Sequence, residues 1–381
     1  MKTIAQKSGV EPLTLQKKKV LFVGLTDYDL TTDDAVLREK MEGLSRDMHV
    51  HVLARGNGWH RQKYGVDFYL IPKVLGRFGI FLWVPLAFLW GFIIILEKKV
   101  EVIISQSPSL EGVVATLLAK ITACKLVIEV HGDWVNGPFY YHAVPFESSI
   151  KKILHTLGKF SLRHADRVRV VSEFLRGMVL ERAPRADIVK FIAFTPVDAF
   201  LNEEDITWNP TVVFVGSLYR VKGVDVLIRA CITLKDEFLD MRLEILGEGP
   251  LRGELETLAE PLGERVHFHG HVPITPILKD AGVLVLPSRS EGLGRVLVEA
   301  AALGKPLVGS NTGGIPEIIR EGQNGLLVAP DDVTGLTEAL RSILRDKARA
   351  EAMGARGREL IRQEFSSERF FCGYHELINS L

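Results

Sequence analysis

Short apolar runs alternate with stretches of helical periodicity along most of the chain. Runs rich in Val, Ile and Leu, each ending in a turn and leading into a helical pattern, are the signature of parallel strands covered by helices. In the first half the pattern predicts strands at Val20–Val23, His49–Leu53, Val102–Ser105, Lys125–Val130 and Arg167–Val171. Helical patterns such as Leu110–Ile121 and Ile150–Arg163 lie between them. The segment "IAFTPVDAFLNEEDITWNP" (192–210) breaks the rhythm with Pro196, Pro210 and a charge run, and reads as a linker. The rhythm then resumes, with strands expected at Thr211–Val215, Arg242–Leu246, Val266–His269, Val283–Leu286, Pro306–Gly309 and Gly325–Val328. Near the end, Phe370, Tyr374, Leu377 and Leu381 recur at helical spacing. The expected fold is α/β, with two doubly wound, Rossmann-like domains facing across a cleft. In such sheets ligands bind beyond the carboxyl ends of the strands.

One stretch departs from this pattern. "GIFLWVPLAFLWGFIIIL" (79–96) carries no charge, and about 18 such residues reach the lower limit for crossing a bilayer. Pro85 and Gly91 interrupt it, and a strand-like "VEVIIS" follows, so a membrane span would split one βα domain. A helix packed on the sheet is the plain reading. Its outer face, with Trp83 and Trp90, exceeds what one sheet face can bury. Arg77, Lys98 and Lys99 flank it. The expectation is docking on an anionic membrane surface; cover by a neighbouring element or a second subunit is the alternative.

Composition narrows the picture only a little. The 381 residues are 47% hydrophobic and 25% charged, ordinary for a globular chain of about two domains. Net charge is zero, yet residues 1–200 hold 27 Lys and Arg against 20 Asp and Glu, and the remainder reverses that balance. The basic half favours an anionic surface or acceptor. Cys124, Cys231 and Cys372 have no disulfide or metal-ligand spacing, which points to a reducing compartment. "MKTIAQKSGVEPLTLQKKK" lacks the apolar core of a signal peptide, so a cytoplasmic protein is expected.

Candidate chemistry concentrates in the second half. "VVFVGSLYRVKGVDVLI" (212–228) ends a strand at Gly216, puts Arg220 and Lys222 in a loop and opens a helix at Gly223. Two cations beside a helix N-terminus suit phosphate oxygens, although an ordinary surface turn has the same look. The Gly-Lys-Ser/Thr of a P-loop is absent. "LEILGEGP" (243–250) and "VHFHGHVP" (266–273) are strands ending in glycine turns. They suit a flat nucleobase held by backbone hydrogen bonds, or are plain βα connections. In "PSRSEGLGRVLVEAAALGKP" (287–306), Gly292–Gly294 stand at the mouth of a helix expected over Arg295–Leu303. Free N–H groups and the positive dipole end there attract a diphosphate. Glu291 precedes the helix and Glu299 lies within it, at most about 12 Å away. Carboxylates on either side of an anion site match the layout of a nucleoside diphosphate sugar: sugar, diphosphate, ribose.

These residues carry a resemblance. Gly216…Lys222-Gly223, Gly247-Glu248-Gly249, His269-Gly270…Val272 and above all Pro287-Ser288…Glu291-Gly292-Leu293-Gly294…Glu299-Ala300 resemble family 4 retaining glycosyltransferases. "GKPLVGSNTGGIPEII" and "NGLLV" continue it. "VIEVHGDW" (127–134), "ADRVRVVSEFLRGMV" (165–179) and "PVDAF" (196–200) extend it into the first half. The resemblance implies the GT-B architecture: an acceptor-side domain over 1–198, a nucleotide-sugar domain over 199–362, and a helix over 363–381 returning to the first domain. It implies that Glu291 contacts the donor sugar, Glu299 the ribose, the Leu293 and Gly294 amides the diphosphate, and Lys222 the leaving phosphate. Gly216, Arg220, Gly247, Gly249, Val272, Ser288 and Gly292 complete the implied donor site. His131 matches the family's histidine near the transferring sugar.

Two departures stand out. Ser217 occupies a position that is often basic in the family, so Arg220 is the candidate replacement. "VGLTDYDLTTDDAV" stands where the family has a Gly-Gly loop after the first strand. Its Asp27-Tyr28-Asp29 mimics the metal-binding Asp-x-Asp of another glycosyltransferase fold, but nothing around it resembles that fold. The expectation is a retaining, metal-independent hexosyltransferase with a nucleotide sugar as substrate and no cofactor. Its acceptor is expected to be lipid-linked or a growing cell-surface glycan, with no nucleic-acid partner. The place of work is the cytoplasm or the cytoplasmic face of the membrane. The rivals are a silent partner subunit with this fold, and an epimerase or phosphorylase on the same architecture.

Overall fold

A computed structural model describes residues 17–72, 79–141 and 146–381. The first sheet has strands β1 (Lys18–Tyr28), β2 (Met48–Gly56), β3 (His60–Lys63), β4 (Val66–Ile71), β5 (Val102–Ser105), β6 (Lys125–Val130), β7 (Arg167–Val170) and β8 (Ile188–Lys190). Their order is β3-β4-β2-β1-β5-β6-β7-β8, and every pairing is parallel except β3 with β4. The second sheet has β9 (Thr211–Val215), β10 (Arg242–Leu246), β11 (Val266–Gly270), β12 (Val283–Leu286), β13 (Leu307–Ser310) and β14 (Gly325–Val328), in the order β11-β10-β9-β12-β13-β14. Chain direction across the sheet reverses at β1/β5 in the first and at β9/β12 in the second. Those switch points are where doubly wound sheets open a crevice.

The sequence pattern locates most central strands within a few residues but places none at Val66–Ile71, which pairs on both sides, or at the two edges. His60–Lys63 is a polar run with no alternating pattern; it becomes a strand only because Val66–Ile71 folds back beside it. β8 has three residues and one neighbour. β1 runs on to Tyr28, where Asp27 and Tyr28 pair with Arg55 and Gly56 beyond a register shift. The 192–210 segment contains a short helix, Val197–Leu201, whose end is held by Arg358 donating to the carbonyls of Leu201 (2.6 Å) and Glu203 (3.2 Å).

Helix Lys347–Glu364 packs on Arg295–Ala302 in the second domain. The chain then turns at Phe365-Ser366 and enters helix Ser367–Asn379, capped by Ser366. Phe370, Phe371, Tyr374, Leu377 and Ile378 are buried in one cluster with Val20, Phe22 and Val52 of the first sheet. Each such side chain contributes about 1.5–3 kcal/mol on burial, so this amphipathic helix is anchored firmly to the domain it returns to.

Helix Gly79–Lys98 forms through Pro85, and the picture of its outer face needs correcting. Trp83 is not on it: the indole is buried at 2% exposure. Trp90 is half-buried, its ring 5.9 Å from that of Trp59. The exposed positions are Leu82, Leu89 (56%), Ile93 and Leu96 (60%), three to seven residues apart on one side. A uniformly apolar sequence cannot reveal which side faces in, because its helical period is hidden. Arg77 lies outside the described residues. Among the described residues no helix is long and apolar enough to cross a membrane.

Candidate active site

The loop after β9 carries Lys222 on a single 3₁₀ turn, Arg220–Lys222, which leads through Gly223 into helix Val224–Leu234. Gly223 has a φ of 66°, and a Cβ there would run into the carbonyl of Pro287. Only glycine lets this loop pack on the one following β12. Arg289 fastens the two loops together. Its guanidinium donates to both carboxylate oxygens of Asp225 (3.0 and 2.9 Å), and further to Asp331 and the Arg220 carbonyl. Burial opposes the Asp225 charge, but these bonds hold its carboxyl below the usual range.

Lys222 Nζ lies 2.6 Å from Glu291 Oε2, both side chains mostly buried, and Ser288 Oγ approaches the same oxygen at 3.4 Å. Glu291 leads into Gly292-Leu293-Gly294, and Gly294 (φ 88°) is the N-cap of helix Arg295–Ala302. Leu293, Gly294, Arg295 and Val296 line the crevice, and the first turn of a helix leaves its amides without intrahelical partners. The second glycine pair supports this loop from below, with Gly314 N donating to the Glu291 carbonyl at 3.1 Å. Glu299 sits in the helix with little exposure, 3.6 Å from Arg295. Burial raises its carboxyl pKa and Arg295 works against that.

The opposite wall belongs to the first domain. His131 follows β6, and its Nε2 is 3.1 Å from Glu129 Oε2. Glu129 is fully buried and also accepts from Arg169 Nη1 at 3.0 Å and from the Tyr374 hydroxyl. Arg169 Nη2 donates to the Ile192 carbonyl at 2.6 Å, and the guanidinium stacks 4.1 Å above Phe191. Burial opposes ionisation of Glu129; the Arg169 charge and the bonds from His131 and Tyr374 outweigh it and hold the carboxyl well below the usual range. An ionised carboxylate only accepts, so His131 carries its hydrogen on Nε2 and is oriented by that bond.

The two walls touch. A Cβ on Gly292 would lie 2.5 Å from the His131 carbonyl. Ser172 Oγ donates to the Gly292 carbonyl at 2.9 Å, and Glu317 receives Glu173 N (2.6 Å) and Lys190 Nζ (3.0 Å). Between them is a cavity of about 700 Å³.

Of the residues singled out from sequence, His131, Gly216, Lys222, Glu291, Leu293 and Gly294 line this cavity. Gly292 and Ser288 lie directly behind it through the contacts above. Gly247 backs onto a cavity wall, since a Cβ there would run into the Gly216 carbonyl, whereas Gly249 packs on Leu218, outside the wall. Arg220 and Val272 are exposed and are not among the cavity walls, and Glu299 is set back along its helix. Asp27 is 3.2 Å from Arg55, and Asp29 accepts from Thr31 N at 2.9 Å. The sequence reading missed Glu129, Arg169, Tyr374, Arg289 and Lys40. A signal existed for the first two: each is a charge toward the carboxyl end of a central strand, next to valines, where parallel sheets are normally apolar on both faces. Their pairing is set by the β6/β7 register, which places Glu129 opposite Arg169.

Two parallel α/β domains with a phosphate-suited helix mouth facing a histidine across a cleft define a GT-B glycosyltransferase. Comparison with known proteins agrees. Residues 209–346 match the family described as "Glycosyl transferases group 1", and residues 34–194 match the "Glycosyl transferase 4-like domain". The GDP-mannose-dependent alpha-(1-6)-phosphatidylinositol monomannoside mannosyltransferase of Mycolicibacterium smegmatis is 35% identical over 279 residues, 69% of this chain and 72% of that protein. Sucrose-phosphate synthase from Thermosynechococcus elongatus superposes with a TM-score of 0.78 at 21% identity, covering 96% of this chain and 99% of that one. Anabaena HepE in complex with UDP-glucose gives 0.74 at 18% identity, covering 95% and 100%. The chain belongs to the family 4 glycosyltransferases. It is a hexosyltransferase-type enzyme that uses a nucleotide sugar.

Proposed function

We propose that this enzyme transfers a hexose, with retention of anomeric configuration and without a metal ion, to a lipid-linked acceptor or a growing cell-surface glycan. The observation that carries the reading is the Lys222–Glu291 pair sharing one cavity with Leu293, Gly294 and His131. The donor diphosphate sits on Lys222 and the helix mouth, where charge developing on the leaving phosphate is stabilised by groups already in place. Glu291 accepts from hydroxyls of the donor sugar, Glu299 from the ribose, and the Gly247–Gly249 turn borders the base. The acceptor hydroxyl attacks the anomeric carbon on the face that the diphosphate leaves. The bond to the phosphate oxygen breaks, the new glycosidic bond forms, and the hydroxyl proton passes to the departing phosphate. His131 borders the transferring sugar.

The acceptor side supports a membrane setting. Leu82, Leu89, Ile93 and Leu96 are exposed on helix Gly79–Lys98, and Leu117 and Ile121 on the neighbouring helix Leu110–Thr122 are exposed as well. Lys98, Lys99 and Lys120 accompany them, the combination suited to an anionic leaflet. The Mycolicibacterium relative is named for a phosphatidylinositol-based acceptor, which is in keeping with this reading.

The test is a thermal-shift screen of nucleotide sugars, followed by transfer assays with the donor that stabilises most. The expected product keeps the donor's anomeric configuration by NMR and forms at an unchanged rate in EDTA. An inverted product refutes retention, and loss of activity restored by added divalent metal refutes metal independence.

A further inference from the structure

The cleft contains a cation that the donor reading leaves unused. Lys40 lies on helix Ala35–Ser45 of the first domain and lines the same cavity as His131, Lys222 and Arg295. Its neighbours on the helix are engaged elsewhere: Arg38 pairs with Asp33, and Glu39 accepts from Ser367 Oγ at 2.8 Å. The carboxylates near the cavity are committed too. Asp34 caps its helix by accepting from Leu37 N at 2.9 Å, and Glu291 holds Lys222 at 2.6 Å. Glu129 serves Arg169, His131 and Tyr374, and Glu299 faces Arg295 at 3.6 Å. Among the described residues none receives a hydrogen bond or close ion pair from Lys40. The residue is nevertheless half-buried. Loss of water lowers its pKa most, and Arg169 and Arg295 repel it against the attraction of Glu129. A desolvated cation flanked by other cations is unfavourable until an anion joins it.

We propose that Lys40, with Arg295 across the cleft, forms an oxyanion subsite that takes a phosphate or carboxylate carried by the acceptor. The inference rests on the donor reading above, which seats the diphosphate on the other wall, at Lys222 and the amides of Leu293 and Gly294. Lys40 comes from the acceptor-side domain and lines the same cavity as His131, so an anion held between Lys40 and Arg295 would orient an acceptor toward the transferring sugar. A free acceptor anion and the donor's own diphosphate share the same chemistry, and the test separates them.

The experiment is calorimetric titration of inorganic phosphate into the full chain, alone and after saturation with UDP or GDP, whichever binds more tightly. In the wild type, phosphate binding persists in the nucleotide-saturated protein. It weakens at least fivefold in K40Q and is retained in K40R, while nucleotide affinity stays within twofold. Equal phosphate binding in wild type and K40Q overturns the proposal, as does equal loss in K40Q and K40R. Phosphate displaced by nucleotide, together with weaker nucleotide binding in K40Q, also overturns it and assigns Lys40 to the donor. If neither nucleotide binds the wild type, the donor reading fails, and the phosphate arm still decides on Lys40.

Discussion

Glu129 and His131 are two residues apart at the end of β6, and the imidazole Nε2 rests 3.1 Å from a carboxylate that is itself gripped by Arg169 and by Tyr374 from the last helix. Because strand side chains repeat every two residues, both emerge on one side, and the buried carboxylate fixes the ring that reaches the cleft. The C-terminal helix thereby contributes to the active site twice, through Tyr374 behind the carboxylate and through Phe370 in the cavity wall.

Removing the Tyr374 hydroxyl should slow transfer through His131. Tyr374→Phe takes one bond from a charged acceptor, a change of about 1.5–3 kcal/mol in stability. Its effect on kcat should vanish in a His131→Ala background, because residues acting through one another are not additive. Steady-state rates of the two single variants and the double variant check this. Additive losses would mean that Tyr374 acts on turnover by a route other than His131, and an unchanged kcat that it acts only on stability. Glu129→Ala, which strands the Arg169 charge, should cost about 3–5 kcal/mol in urea denaturation.

Lys222→Ala and Glu291→Ala should each abolish most transfer. A lost transition-state phosphate contact is worth about 2.7–4 kcal/mol, or roughly 10²–10³ in kcat. Both residues sit on loops at strand ends, so far-UV circular dichroism should stay as in the wild type. Near-normal turnover in both variants would remove them from the site.

Glu111 predicts a pH dependence of stability. It is buried in the first turn of helix Leu110–Thr122, its Oε2 has no hydrogen-bond partner, and burial raises its pKa to about 7. Between the ordinary value of 4.5 and about 7 the folded chain holds a proton that the unfolded chain has released. Stability therefore falls as pH rises through that window, by roughly 3 kcal/mol from this group. Glu129 has the opposite sign, since its depressed pKa gives stability that is lost as pH falls. Glu111→Gln should raise Tm at pH 8 and leave it nearly unchanged at pH 5. A gain of the same size at both values would show that the carboxyl does not titrate in this range.

Liposomes carrying anionic lipid should sediment the protein at low salt and release part of it at high salt. Leu89→Asp with Ile93→Asp should leave it in the supernatant in both conditions while Tm holds, because both side chains are exposed. A wild-type protein that remains in the supernatant as a dimer would mean that a second subunit covers this face.

The two-domain α/β fold was legible because apolar runs followed by helical patterns repeat at βα length, and nearly every central strand fell where the pattern put it. Local spacing also carried the glycine mouth with Glu291, since a strand end, a glycine turn and a helix start are all short-range features. Residues whose role depends on a partner far along the chain could not be read. Glu129 meets Arg169 forty residues on and Tyr374 at the far terminus, and no spacing encodes those contacts. Trp83 was misplaced for a related reason: an all-apolar helix has no polar face to fix its rotation, so packing against the sheet alone decides it. Lys40 was equally silent, an ordinary lysine in a charged helix until the second domain closed over it. The sequence by itself set which segments become strands and helices and where an anion is welcome. Strand register and domain apposition then decided which charges are paired, which are buried and which are left waiting, because those are properties of distance in space.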